Sequence, residues 1–246
     1  MSITYDQHHH TFTVTALGKT GSGKSSVLSN LVGNEKAFHS ETSEERVTNH
    51  FCQIDSNWLG DSKNDEVRVI DSPGLVDDPN KGEEKYDVSE HFHQFIKKMS
   101  FGINAFLLVF NVEDIKIDSQ FAGMLESFEI SFGKNFWNHT AVVFTHCGFD
   151  NKDKWSGKEE ELAHIINDKI AFSKLNPTKD LPCYFVDNAT KTGFEALKVG
   201  IESFEKFDCN VMEQTRKYFE NPKNKRLDYY KHLDSLLLAE YYKWKW

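Results

Sequence analysis

The chain has 246 residues, a length that suits one α/β domain or such a domain with a helical extension. Apolar residues make up 39% and charged residues 27%, which is ordinary for a globular protein. The net charge of −9 argues against a general nucleic-acid-binding protein, because such a protein needs a basic face to neutralise phosphates.

Hydrophobic patterning predicts strands and helices that alternate along most of the chain. The predicted strands are 12–17, 47–54, 67–70, 105–112, 140–145 and 183–186. The predicted helices are 24–31, 86–99, 120–132, 159–172 and 194–207. The continuous apolar runs at 105–112 and 140–145 are typical of strands that are buried on both faces. The alternation therefore predicts an α/β fold with a mainly parallel, six-stranded sheet and helices on both of its faces.

The segments outside this pattern are polar loops and a distinct tail. Residues 33–46 and 71–82 are predicted loops, and 55–65 is a predicted polar turn between two strands. After Pro222, apolar residues recur every three or four positions, which predicts one amphipathic helix. We expect this helix to fold back onto the domain, with contact at a membrane surface as the alternative.

A glycine-rich turn links the first predicted strand to the first predicted helix. Residues 17–27 read LGKTGSGKSSV, which contains the pattern GxxxxGK[ST]. Glycines let a backbone curl so that its N–H groups point at phosphate oxygens, and a helix N-terminus adds positive charge. Lys24 would neutralise the outer phosphates, and the Ser25 hydroxyl would bind Mg²⁺. The predicted phosphate-binding residues are Gly18, Lys19, Thr20, Gly21, Ser22, Gly23, Lys24, Ser25 and Ser26.

Two later segments would complete a nucleotide site. Asp71 ends the third predicted strand and forms a DxxG pattern with Gly74. The aspartate would reach the Mg²⁺ shell, and the glycine amide would contact the γ-phosphate. A threonine from the loop before the second strand would add a hydroxyl to the metal. Thr48 is the preferred candidate and Thr42 the second, although each could be an ordinary threonine at a strand edge.

Several stretches of the sequence, taken together, resemble the AIG/GIMAP GTPases. They are GKTGSGKSSVLSNLVG, VTNHFCQ, VIDSPGL, GINAFLLVFNVEDIKID, NFWNHTAVVFTHCGFD and YFVDNATK. The resemblance covers residues 12–208 and implies a P-loop G domain of the branch that includes septins and chloroplast import receptors. It also implies a guanine-nucleotide switch that binds GTP or GDP with Mg²⁺. Such a switch would hydrolyse GTP slowly and form a homodimer across the nucleotide face when GTP is bound.

The resemblance assigns base recognition to the loops after the fifth and sixth strands. Guanine-specific G domains use an aspartate three residues after the first residue of an [NT]KxD element, but here Gly148 lies three residues after Thr145. Asp150 would read the base through a longer loop, or a backbone carbonyl would replace it. His146 resembles a residue that stacks on the purine, and Asn188 one that contacts it. The plainer alternatives are a surface histidine and an Asx turn.

The residues around the predicted γ-phosphate site suggest slow hydrolysis. Rapid GTPases orient water with a glutamine just after DxxG, whereas Leu75 follows Gly74 here. The resemblance implies a basic residue donated in trans from the segment after the fourth strand, where Lys116 is the nearest candidate. A lysine lacks the guanidinium fork and would be a weaker catalytic group, and a solvated lysine is the alternative. Arg46 is a further candidate.

These observations divide the chain into a flexible N-terminus (1–11), a G domain (12–208) and a C-terminal amphipathic helical extension (209–246). The N-terminus lacks the features of a secretory signal, and the cysteines lack zinc-site spacing, so we expect a cytoplasmic location or the surface of an intracellular membrane. Two other functions stay open. One is a P-loop ATPase or small-molecule kinase, which sparse, unclustered arginines disfavour, and the other is a pseudo-GTPase scaffold that holds nucleotide without turnover.

Overall fold

A single six-stranded sheet runs through the part of the chain that the computed structural model describes, namely residues 12–38, 52–71, 95–148, 155, 157–173, 175, 177–221 and 231–239. The strands are β1 Phe12–Leu17, β2 Cys52–Asn57, β3 Glu66–Asp71, β4 Ala105–Asn111, β5 Thr140–Thr145 and β6 Cys183–Phe185. The helices are α1 Lys24–Leu31, α2 95–99, α3 Ser119–Phe132, α4 Glu159–Phe172, α5 Phe194–Glu202, α6 Asn210–Glu220 and α7 231–239. The predicted α/β fold is confirmed.

The strand order is β2-β3-β1-β4-β5-β6. Every neighbouring pair is parallel except β2 and β3, which are antiparallel. In this order, β1 lies at the centre, and the loops after β1, β3, β4, β5 and β6 all leave the same edge of the sheet. In open parallel sheets, this carboxyl edge is where ligands bind.

Two apolar cores cover the two faces of the sheet. One core packs α2, α3, α4, α6 and α7 against one face, and the other packs α1 and α5 against the opposite face. The central strands are apolar on both sides, and all six residues of β5 are buried. The aromatic centre of the larger core is Phe106. Its ring centroid lies 6.0, 5.5 and 4.8 Å from the ring centroids of Phe128, Phe132 and Phe136.

The predicted bounds are correct for 12–17, 24–31, 140–145 and 159–172 but wrong for the second strand. The described strand Cys52–Asn57 continues into the segment that was expected to be a polar turn. This strand lies at the sheet edge, where one face meets solvent, so its side chains alternate in exposure. Arg68 on β3 donates from Nε and Nη2 to the two carboxylate oxygens of Asp55, each at 2.8 Å, and so pairs two polar residues within the sheet.

The C-terminal part also differs from the prediction. The helix expected at 194–207 ends at Glu202, because Phe207 forms an isolated bridge with Ile103 instead of a helical turn. Helix α6 lies before Pro222, where no separate helix was predicted, although it falls within the expected helical extension 209–246. Arg216 fixes α6 by donating to the Ser100 carbonyl oxygen and the Asp208 carboxylate at 2.5 and 2.6 Å.

Helix α7 folds back onto the domain. Leu233 is completely buried in the larger core, and Leu236 and Leu237 pack against that core. The rings of Tyr218 on α6 and His232 on α7 stack at 4.7 Å. Within the described residues, no helix combines the length and the apolar character needed to cross a membrane.

The aromatic centre predicts that a Phe→Ala substitution lowers the free energy of unfolding much more in the core than on the surface. Phe106→Ala should lower the free energy of unfolding by about 3–5 kcal/mol, because Phe106 is fully buried among other rings and the change leaves a cavity. Phe172→Ala is the control, because Phe172 is 92% exposed, and it should change the value by less than about 0.5 kcal/mol. Chemical denaturation measures both. Similar losses from the two variants would contradict the described core.

Candidate nucleotide-binding site

The loop between β1 and α1 is curled around the ammonium group of its own lysine. Lys24 Nζ donates to the backbone carbonyl oxygens of Gly18 at 2.7 Å and Lys19 at 2.8 Å. The Ser22 N–H donates to the Lys19 carbonyl oxygen at 3.1 Å and closes a turn inside the loop. Lys24, the first residue of α1, is buried, so the loop, the charge and the helix N-terminus converge at one place.

Two glycines are required because the loop lies against the ends of β4 and β5. A Cβ atom on Gly18 would lie 2.5 Å from the Val109 carbonyl oxygen. Gly23 has a φ of 93°, in the left-handed region, and its Cβ atom would lie 3.1 Å from the Thr145 side chain. The Thr145 hydroxyl donates to the Ser22 carbonyl oxygen at 2.6 Å. The strand ends therefore hold the loop in its curled shape.

An ion pair joins the loop to the next element on the sheet edge. Lys19 Nζ pairs with Asp118, whose other carboxylate oxygen accepts the Phe121 N–H at 2.9 Å and caps α3. No role was predicted for Asp118. Its position directly before a predicted helix is typical of an N-cap, and that signal could have drawn attention to it.

Ser25 and Asp71 form an oxygen-rich pair beside Lys24. The Ser25 hydroxyl donates to Asp71 Oδ2 at 3.3 Å. Asp71 is only 5% exposed, and its Oδ1 is buried without a hydrogen-bond partner among the described residues. Burial raises the pKa of Asp71 to about 6, against the opposing effects of the Lys24 charge and the Ser25 hydrogen bond. A buried carboxylate oxygen that lacks a partner, next to a hydroxyl, suits a hard cation such as Mg²⁺.

The loops after β5 and β6 place the two predicted base-contacting side chains at neighbouring strand ends. His146 directly follows β5, is exposed, and has a φ of 58°. Its Nδ1 lies 2.9 Å from the Thr145 hydroxyl oxygen. Asn188 follows β6 and is half-buried, and its backbone and side-chain oxygens face the amide of Asn30 on α1. The Asn30 contact was missed, although a polar residue on the buried side of α1 is a recognisable signal.

Cys147, between these loops, is a packed thiol. Its Sγ lies 3.3 Å from the Phe144 carbonyl oxygen, and burial raises its pKa to about 11. A thiol with such a raised pKa stays protonated and unreactive near neutral pH. The geometry therefore gives no support to a redox role for this residue.

Lys116 lies on the surface in the segment between β4 and α3. Its side chain is 72% exposed, and its Nζ lies 2.7 Å from Asp114 Oδ1. The hydrogen bond and the charge of Asp114 raise the pKa of Lys116, so it is a cation at neutral pH. Its role as a catalytic group remains a prediction.

Several predicted site residues lie outside the described part of the chain. They are Thr42, Arg46, Thr48, Gly74, Leu75 and Asp150. Their roles at the metal, the γ-phosphate and the base stay predictions. Among the described residues, the structure brings together the loop Gly18–Ser26, Asp71, His146 and Asn188 at the carboxyl edge of the sheet.

Known proteins resemble this chain over the residues that form the sheet. A family model described as the AIG1 family matches residues 12–193. Translocase of chloroplast 34 of Pisum sativum is 23% identical over 186 residues, which are 73% of this chain and 56% of the relative. Immune-associated nucleotide-binding protein 10 of Arabidopsis thaliana is 30% identical over 132 residues, which are 54% of this chain and 27% of the relative. The chain thus spans about half or less of the length of these relatives.

Solved structures share the fold at low sequence identity. Toc33 from Arabidopsis thaliana in complex with Mg²⁺ and GMPPNP has a TM-score of 0.57 at 19% identity, over 81% of this chain and 88% of that one. A structure of the chloroplast translocon components atToc33 and psToc159, described as showing that dimerisation is important for their GTPase activity, has a TM-score of 0.61 at 18% identity, over 81% and 86% of the two chains. At this identity the likeness establishes the fold.

The buried Asp71 predicts a pH-dependent effect on stability. Its pKa is about 6 in the folded protein against an ordinary value of 3.8, so its stabilising contribution is full below about pH 4 and is lost as the pH rises through 6. Asp71→Asn removes the ionised form. In EDTA and without nucleotide, the unfolding free energy of the variant minus that of wild type should rise by up to about 3 kcal/mol between pH 4 and pH 7.5.

Denaturant titrations at several pH values test this difference. Asp61→Asn is the control, since Asp61 is exposed and its Oδ1 accepts only a local backbone N–H, from Lys63. The rise with pH should be larger for Asp71→Asn than for this control. A flat difference for Asp71→Asn would show that Asp71 is not buried as described.

Proposed function

Because the chain belongs to the AIG1 family, we propose that it is a guanine-nucleotide switch that binds GTP and GDP with Mg²⁺ and hydrolyses GTP slowly. The observation that carries this proposal is the loop curled around Lys24, with the Ser25–Asp71 pair directly beside it. A buried lysine, a helix N-terminus and an aspartate with one oxygen that has no hydrogen-bond partner among the described residues together form a site for a phosphate and a divalent cation.

Each described residue has a distinct task at the phosphates. The backbone N–H groups of the glycine-rich loop and the first turn of α1 would bind phosphate oxygens. Lys24 would place a full positive charge against the outer phosphates. Ser25 and Asp71 would hold Mg²⁺, with Thr48 as the predicted third group, and the metal when bound neutralises charge on the phosphate oxygens.

The base would lie between the loops after β5 and β6. His146 supports this because it is exposed and directly follows β5 at the sheet edge. Asn188 would bind the purine edge from the adjacent loop, and Asp150 remains the proposed reader of the guanine N1–H and 2-amino groups. The similarity to a relative named for nucleotide binding supports this assignment.

Hydrolysis would be slow in the monomer and faster in a GTP-dependent homodimer. The dimerisation that is described as important for the GTPase activity of atToc33 and psToc159 supports this proposal. Lys116 would act across the dimer, and its exposure leaves it accessible to a second copy. The ion pair between Lys116 and Asp114 would have to break before Lys116 could reach the nucleotide of the second copy. This is a further reason to expect a modest rate of GTP hydrolysis.

We further propose a cytoplasmic protein whose described C-terminal helices are part of the domain. Leu233 is buried, and Leu236 and Leu237 in α7 pack against the same core. This packing favours the fold-back interpretation of the tail.

The proposal predicts that Lys24 is essential for nucleotide binding. Lys24→Ala should weaken GDP binding in Mg²⁺ by about 100-fold, because it removes a buried, charge-assisted hydrogen bond to phosphate. Calorimetric titration measures the loss. Lys217→Ala is the matched control, since Lys217 is an exposed, ion-paired lysine on α6, and it should bind GDP as wild type does. Unchanged GDP binding by Lys24→Ala would contradict the proposed site.

The proposal also predicts a dimer that depends on the nucleotide. The mass in solution should double on adding a non-hydrolysable GTP analogue and should stay that of the monomer in GDP.

GTP turnover per chain should rise with protein concentration, and Lys116→Ala should lower that rise several-fold while GDP binding stays intact. Lys217→Ala again serves as the control. A pseudo-GTPase would bind nucleotide and show no turnover at any concentration.

A further inference from the structure

A buried asparagine on α1 contacts the asparagine that is proposed to bind the purine. Asn30 is only 7% exposed. Its Nδ2 lies 3.3 Å from the backbone carbonyl oxygen of Asn188 and 3.2 Å from Asn188 Oδ1. The two residues are 158 positions apart, so the fold alone brings them together. One side-chain amide therefore holds both the backbone and the side chain of Asn188.

This double contact fixes the orientation of both amides. A backbone carbonyl oxygen can only accept, so Asn30 must face it with its NH₂ group. The same nitrogen faces the Asn188 side chain, which must then present its acceptor, Oδ1. The NH₂ group of Asn188, with two N–H donors, is consequently turned away from α1. Rotating the Asn30 amide would place its oxygen against the carbonyl oxygen, where neither atom can donate.

Contacts of the neighbouring residues hold the loop that carries Asn188. The Asp187 carboxylate accepts the Ala189 N–H at 2.9 Å, and the Asp187 N–H donates to the Thr192 carbonyl oxygen at 3.0 Å. Gly193 closes the loop with a φ of 85°, and a Cβ atom there would lie 2.0 Å from the Phe185 carbonyl oxygen. The backbone on both sides of Asn188 is thus anchored to β6.

We propose that Asn30 is a positioning residue for base selectivity, because it makes Asn188 a hydrogen-bond donor towards position 6 of the purine. The inference rests on the proposed function and deepens it. A 6-oxo group accepts a hydrogen bond, whereas a 6-amino group would meet the Asn188 NH₂ with a second donor. Asn30 therefore favours 6-oxopurine over 6-aminopurine nucleotides. This discrimination is separate from any reading of N1–H and the 2-amino group by Asp150.

The test compares inosine diphosphate with adenosine diphosphate, which share the ribose and phosphates and both lack the 2-amino group. They differ at position 6 and also at N1, which carries a hydrogen only in inosine, so the change of the preference in the Asn30 variants is what measures the effect at position 6. In wild type, the dissociation constants should favour inosine diphosphate. In Asn30→Ala this preference should fall by about tenfold, because the Asn188 amide can then rotate. Asn34→Ala is the matched control, since Asn34 is exposed and its Oδ1 accepts a hydrogen bond from the nearby Lys36 N–H. Its preference should equal that of wild type.

Two further variants, Asn30→Asp and Asn188→Ala, extend the test, and each can be measured alone if Asn30→Ala does not fold. Asn30→Asp has the same shape but can only accept, so it should turn the Asn188 amide over and lower the preference at least as far. Asn188→Ala should lower the preference by itself, and adding Asn30→Ala should lower it no further, because Asn30 acts through Asn188. If the two single substitutions lowered the preference additively in the double variant, the inference would be overturned.

The remaining outcomes separate this inference from the proposed function. A wild-type protein that binds neither inosine nor guanosine diphosphate would overturn both. Equal wild-type affinity for inosine and adenosine diphosphate would overturn the inference while nucleotide binding stands. A wild-type preference that persists in Asn30→Ala and Asn30→Asp would likewise overturn the inference and leave the guanine-nucleotide proposal intact.

Discussion

The buried ammonium of Lys24 is the interaction on which the rest of the site depends. A charge removed from water must be matched by acceptors, and here two carbonyl oxygens of its own loop supply them. To supply them the loop must curl, and it can curl against the strand ends only with glycine at positions 18 and 23. The parallel sheet with β1 at its centre provides those strand ends.

Asp71 provides the complementary half of the site. Its carboxylate lies in a buried position that raises its pKa to about 6, with one oxygen bound to Ser25 and the other without a partner among the described residues. Such a group destabilises the folded protein near neutral pH and is relieved when a cation binds. The loop and the carboxylate therefore act together, because Lys24 balances anions and Asp71 favours a metal beside them.

Much of the fold and the phosphate-binding loop could be predicted from the sequence, because short local patterns encode them. The apolar runs of β1 and β5 end at Gly18 and His146, and the glycine pattern identifies the loop without any structure. Edge strand β2 was misplaced because it alternates polar and half-buried residues, and α6 was missed because its apolar residues are few. The contacts Lys19–Asp118 and Asn30–Asn188 join residues 99 and 158 positions apart, so no local pattern encodes them.

We propose that this site binds guanine nucleotide with Mg²⁺. Its most direct test is a titration with a fluorescent GDP analogue, in Mg²⁺ and in EDTA, followed by competition with unlabelled GDP and ATP. We expect tight binding that EDTA weakens, displacement by GDP, and no displacement by ATP at similar concentrations. Equal displacement by ATP would contradict guanine recognition, and absence of binding under both conditions would contradict the site itself.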